Sequence, residues 1–186
     1  NYDFEEKRAI IIGKFDSVIE KQIYSVEIRS AILRKISTVT GTHNAIVSKT
    51  GRNIIDIYSN INIPYNVDII SSRGTFMQAL YKANNPLKNI KTGKINIFRI
   101  KANDSSDLYC RMILPPDFSE NKKYPVFVYV YGGPHVQLVT NSWLGGANLF
   151  LMYMAQKGFI VFTLDNRGSA NRSNDFEQSI HRQLGK

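Results

Sequence analysis

Residues 123–134 read KYPVFVYVYGGP, and this stretch decides the fold of the second half of the chain. Residues 125–131 form a short, continuous apolar run, the pattern of a strand buried on both faces of a parallel sheet. Gly132-Gly133-Pro134 ends it with turn residues. Downstream, residues 146–157 (GANLFLMYMAQK) read as a helix that is apolar on most faces and therefore buried, with Gly158 as its cap. Residues 159–164 are a second buried strand. Residues 174–184 read as another helix, opened by the polar Ser173-Asn174-Asp175 group. Strand, helix, strand, helix is α/β grammar with a parallel sheet.

Upstream of the deciding stretch, residues 94–100 and 108–114 are strand-like runs around Asn103-Asp104-Ser105-Ser106, a hairpin. Pro115-Pro116 stops the second run, because proline cannot donate to a ladder. Before residue 85 the character changes. Residues 7–83 hold strand runs only, among them RAIIIGKF, KQIYSVEI, NIIDIYS and FMQALYK, rich in the β-branched and aromatic side chains that suit a pleated surface. Their pitch is roughly 10–13 residues, that of an all-β meander. Four such strands fill about 40–45 residues, the length of one propeller blade. Residues 43–82 fit one complete blade and residues 7–37 most of the preceding one. A pair of blades leaves sheet faces uncovered, so this half is expected to be the end of a larger repeat array.

The 186 residues are 43% hydrophobic and 21% charged, which excludes a disordered chain. No run of eighteen apolar residues exists, so no membrane span is expected. The single cysteine, Cys110, excludes an internal disulfide and a four-cysteine zinc site. The chain opens on Asn1, with neither an initiating Met nor a basic-then-apolar signal segment, and is expected to enter an element already under way. The net charge is +9, and nine basic residues from Lys49 to Lys101 face only Asp56 and Asp68. They sit between strand runs rather than on one helix face, and no nucleic-acid motif accompanies them. They read as solvated loops and edge lysines that discourage sheet pairing, and no nucleic-acid partner is expected.

The 123–134 run, followed by Asp165-Asn166-Arg167-Gly168-Ser169, resembles the prolyl oligopeptidase family of serine peptidases. Residues 112–118 (MILPPDF) and the ending Arg182-Gln183-Leu184-Gly185-Lys186 resemble its dipeptidyl peptidase IV branch, in its bacterial form. The likeness is strong over residues 107–186 and weaker over residues 7–83. It implies β-propeller blades (residues 1–84) followed by the junction and N-terminal part of an α/β-hydrolase domain (residues 85–186), in a two-domain serine peptidase. It further implies peptide hydrolysis by acyl transfer with release of X-Pro or X-Ala dipeptides. Another member of the family, an acylaminoacyl peptidase or an oligopeptidase, is the alternative within enzymes. A non-enzymatic propeller binding module is the alternative outside them. No metal or organic cofactor is implied. A peptide substrate is, as are a homodimeric parent and a periplasmic or extracellular location.

An α/β-hydrolase carries its triad in the order Ser, Asp, His, with the serine in a G-x-S-x-G elbow. This chain holds no G-x-S-x-G; Arg167-Gly168-Ser169-Ala170 lacks the second glycine. Nucleophile, acid and base are therefore expected to be absent, and the chain alone inactive. His43 is expected to open a propeller strand, His135 to lie on a turn and His181 on a solvated helix face. The resemblance assigns Tyr131 as the oxyanion donor, with Gly132, Gly133 and Pro134 shaping the turn behind it. Asp165, Arg167 and Gly168 form a supporting loop, in which Asp165 orients its neighbours. Paired glutamates hold the substrate amine in dipeptidyl peptidases. Here Glu5-Glu6 lacks a surrounding motif and reads as a solvated pair.

Overall fold

The computed structural model describes residues 2–3 and 7–184, so Glu5 and Glu6 lie outside the described residues. The chain divides into two compact units. The first comprises Asn1–Asn85 with Asn141–Trp143, the second Pro86–Thr140 with Leu144–Lys186.

The first unit is two antiparallel four-stranded sheets, each in sequential order. One holds β1 (Tyr2–Asp3), β2 (Arg8–Gly13), β3 (Gln22–Glu27) and β4 (Leu33–Lys35). The other holds β5 (Thr42–Val47), β6 (Asn53–Asn60), β7 (Ile63–Ser71) and β8 (Phe76–Lys82). Ile10, Ile23, Ile54 and Ile70 of the strands and Ile36, just past β4, form a common core, with Ala45 and Val47 against it. Such burial stabilises by about 1.5–3 kcal/mol per large aliphatic side chain.

Polar residues continue the inward faces. His43, the second residue of β5, is fully buried. Its Nδ1 lies 2.8 Å from Asp56 Oδ1 and its Nε2 2.9 Å from the Val39 carbonyl. The ring stacks on Tyr58, whose hydroxyl donates to Asp68 Oδ2 at 3.1 Å. Asn141 is bonded throughout: its N–H donates to Ile19 O, its amide to Glu20, and its Oδ1 accepts from the Ile61 N–H.

The second unit is a four-stranded sheet in the order β11-β12-β10-β9, from β9 (Ile95–Lys101), β10 (Asp107–Ile113), β11 (Val126–Tyr129) and β12 (Ile160–Leu164). β11 and β12 run parallel, joined through α1 (Leu149–Gln156). β10 is antiparallel to both β12 and β9, so the sheet is mixed rather than wholly parallel. The 95–113 hairpin supplies the antiparallel part, since two strands joined by a tight turn can pair only that way.

Three local expectations are corrected. β11 is not buried on both faces: Val126, Val128 and Tyr129 are exposed, and among the described residues the strand pairs with β12 alone. α1 starts at Leu149 behind the N-cap Asn148, and buries only Leu151, Met152 and Ala155 while Leu149, Phe150 and Tyr153 face outward. The second helix, α2, spans Asn174–Gln178 behind the N-cap Ser173. His181 therefore lies in a turn after a short helix and not on a helix face.

Candidate active site

Tyr131 stands two residues beyond the C-terminal end of β11, and the residue is 55% exposed. Gly132 follows at φ +71°, a left-handed conformation that glycine alone adopts without cost. Gly133 passes close to the Tyr131 ring, where a Cβ would lie 3.0 Å from Cε1. Pro134 leads into His135, whose N–H donates to the Gly168 carbonyl at 3.0 Å. The His135 imidazole pairs with Glu177 and is exposed. Residues 130–134 thus bridge the last paired residue of β11, Tyr129 opposite Thr163, and this first tie.

The segment beyond is held from below. Asp165, just past the end of β12, is buried. Its carboxylate accepts from the Leu138 N–H at 2.8 Å and the Val139 N–H at 3.0 Å. Arg111, on β10, is 1% exposed. Its Nη1 donates to the Leu138 carbonyl at 2.8 Å and the Gly145 carbonyl at 2.7 Å, and its Nη2 donates to Thr163 Oγ1 at 3.0 Å. Its Nε has no hydrogen-bond partner among the described residues. Burial pushes the guanidinium pKa down to about 10, against the pull of Asp165, so it stays protonated at neutral pH. Sequence reasoning missed Arg111. The signal was a lone cation inside the apolar run LYCRMIL.

The other predicted residues lie nearby in sequence and space. Arg167 donates to Asp104 Oδ2 at 2.5 Å and is half exposed. Gly168 bonds through its N–H to the Phe176 carbonyl. Ser169 is buried, with its hydroxyl on the Asn166 carbonyl, so it is no nucleophile presented to a substrate. Among the described residues no hydrogen bond joins the His43, His135 or His181 side chain to a serine. The His43 partners are Asp56 and a carbonyl inside the first unit. Among the described residues no group of His, Cys, Asp and Glu could hold a metal ion, and no helix is long and apolar enough to cross a membrane.

The fold is antiparallel propeller-type blades followed by the N-terminal part of an α/β-hydrolase sheet, and known proteins share it. Residues 147–186 match the family model described as the prolyl oligopeptidase family. Human dipeptidyl peptidase 8 is 27% identical over 198 residues, covering 100% of this chain and 22% of its own length. The crystal structure of a Bacteroides ovatus protein assigned as a dipeptidyl aminopeptidase IV superposes with a TM-score of 0.90 at 34% identity, over 99% of this chain and 26% of that one. Porphyromonas gingivalis dipeptidyl peptidase 4 shares the fold, with a TM-score of 0.87 at 24% identity, over 100% of this chain and 26% of that one. Its last 40 residues thus match the prolyl oligopeptidase family model, and the chain as a whole is similar to dipeptidyl peptidases. It spans about a quarter of the length of these relatives.

Proposed function

We propose that the chain is a segment of a serine-type dipeptidyl peptidase. Residues 1–84 are its terminal propeller blades, and residues 85–186 are the junction and the N-terminal part of its peptidase domain. The whole protein hydrolyses peptides by acyl transfer and releases X-Pro or X-Ala dipeptides. It acts in the periplasm or outside the cell, and its parent assembly is a homodimer.

Within that reading the chemistry of this segment is electrostatic. A serine hydroxyl of the whole protein attacks the scissile carbonyl. The carbonyl oxygen takes up negative charge, and the Tyr131 hydroxyl donates to it. Such a donor acts only where charge develops, so it lowers the barrier without tightening substrate binding. Gly132 and Gly133 let the backbone turn away directly behind the ring. Asp165 and the Gly168 carbonyl hold the departing loop.

The observation that carries the reading is the placement of Tyr131-Gly132-Gly133-Pro134 at the C-terminal end of a strand parallel to its neighbour, where α/β folds gather their reactive groups. The test is turnover of a Gly-Pro chromogenic substrate by the full-length protein. Turnover abolished by a serine-directed fluorophosphonate is expected. Turnover that survives the inhibitor, or none at all, contradicts the reading.

A further inference from the structure

We propose that Arg111 is a positioning residue for the oxyanion donor, acting through the loop of residues 134–146 to fix where the chain leaving β11 holds Tyr131. The proposal rests on the reading of Tyr131 given above and adds a residue to it.

Arg111 sits on β10, inside the sheet, so its anchor is rigid. One nitrogen binds both sides of the loop, at Leu138 and Gly145, and the other binds Thr163. Thr163 is the residue of β12 that pairs with Tyr129, the last residue of β11 before Tyr131. A single side chain therefore joins the loop after Tyr131 to the strand position before it. Leu138 is held twice over, since its N–H goes to Asp165 while its carbonyl goes to Arg111.

The loop is shaped to receive the guanidinium. Gly145 and Gly146 run at φ +66° and +80°. A Cβ at Gly145 would stand 3.1 Å from Arg111 Cδ, and one at Gly146 would stand 2.7 Å from the Leu138 carbonyl. A buried cation is costly to desolvate, and an apolar side chain would fill the same space more cheaply. An apolar side chain cannot bind three acceptors on two segments in one planar fork; neither can lysine, whose ammonium is a point donor. The arrangement is explained by a demand for fixed geometry rather than by packing.

The experiment uses the full-length protein and its Arg111→Gln, Arg111→Lys, Tyr131→Phe and Arg111→Gln/Tyr131→Phe variants. Hydrogen exchange is read at residues 134–146, and kcat and KM on a Gly-Pro chromogenic substrate. Arg111→Gln and Arg111→Lys should both lose exchange protection at Leu138 and Val139 while the sheet amides keep theirs. Both should lower kcat by about 10–100-fold, the effect of a displacement on the ångström scale, with KM within about twofold. In the Tyr131→Phe background the Arg111→Gln change should cost less than about twofold further, because residues acting as a unit are not additive.

Unchanged protection, full function of Arg111→Lys, or additive losses in the double variant would each overturn the proposal. Thr163→Val, which keeps shape and removes the Nη2 acceptor, serves if Arg111→Gln does not fold. It should lower kcat and loop protection in the same direction, and no change in either overturns the proposal. Absent wild-type turnover, or an unaffected Tyr131→Phe, overturns the functional reading and with it the role in catalysis; the exchange pattern alone then decides the clamp.

Discussion

Arg111 and Asp165 hold Leu138 from its two sides, the guanidinium donating to its carbonyl at 2.8 Å and the carboxylate accepting from its N–H at 2.8 Å. Opposite charges thus meet on one backbone segment, in addition to the attraction between them. Each charge is compensated by peptide dipoles, which is how buried ions are tolerated in a protein interior. The consequence is a loop whose geometry is set by the sheet beneath it.

Gly146→Ala tests the closeness of that packing. At φ +80°, with a new Cβ 2.7 Å from the Leu138 carbonyl, the alanine must displace the loop. The expected loss is about 1–3 kcal/mol of unfolding free energy, read from denaturant melts of the full-length protein. A loss below about 0.5 kcal/mol would show that the loop gives way freely.

His43→Ala should destabilise the first unit by about 2–4 kcal/mol, because it removes the buried ring whose nitrogens meet Asp56 and the Val39 carbonyl and whose face stacks on Tyr58. Thermal unfolding followed in the far ultraviolet reads this. The substitution should leave kcat of the full-length protein unchanged at temperatures where it is folded, as His43 is no catalytic base in this account.

Asp104 gives a pH signature. Its carboxyl is held down to about 2 by the Ser106 hydroxyl, the Ser106 N–H and Arg167. A depressed carboxylate contributes stability that is complete above its unfolded value and disappears as pH falls through the folded one. The hairpin amide of Ser106 should therefore keep its protection down to about pH 4 and lose it toward about pH 2. Asp104→Asn should abolish that dependence; an identical acid profile in the variant would contradict the assignment.

The 186-residue chain by itself should self-associate. β11 is an edge strand with Val126 and Val128 more than half exposed, and Leu149 and Phe150 of α1 are exposed as well. Open apolar edges recruit further strands. Light scattering should find oligomers, and a monodisperse monomer with a cooperative melt would contradict this.

Much of the fold was legible because local chemistry and burial agree there. The isoleucine-rich run of residues 53–60 alternates between buried and more open positions, and turn residues separate the strand runs. The deciding run misled on burial for a physical reason: an apolar strand reads as doubly covered whether or not its second neighbour belongs to the same 186 residues. The second helix was overlong because only its start carries a signal, the Ser173 cap; nothing in residues 179–184 marks where the turn ends. Tyr131 was legible only through its motif. Arg111 was illegible by periodicity, since a charged residue in a strand reads as solvent-facing, yet it shares its sheet face with the buried Ile113 and carries three bonds that only the folded loop can supply.

The most direct measurement is kcat for Tyr131→Phe in the full-length protein. Phenylalanine keeps the ring beside Gly133 and removes only the donor. The expected fall in kcat is about 100–1000-fold, equivalent to about 2.7–4 kcal/mol in activation free energy, with KM essentially unchanged. An unchanged kcat, or a rise in KM with kcat intact, would mean that the Tyr131 hydroxyl does not meet the oxyanion.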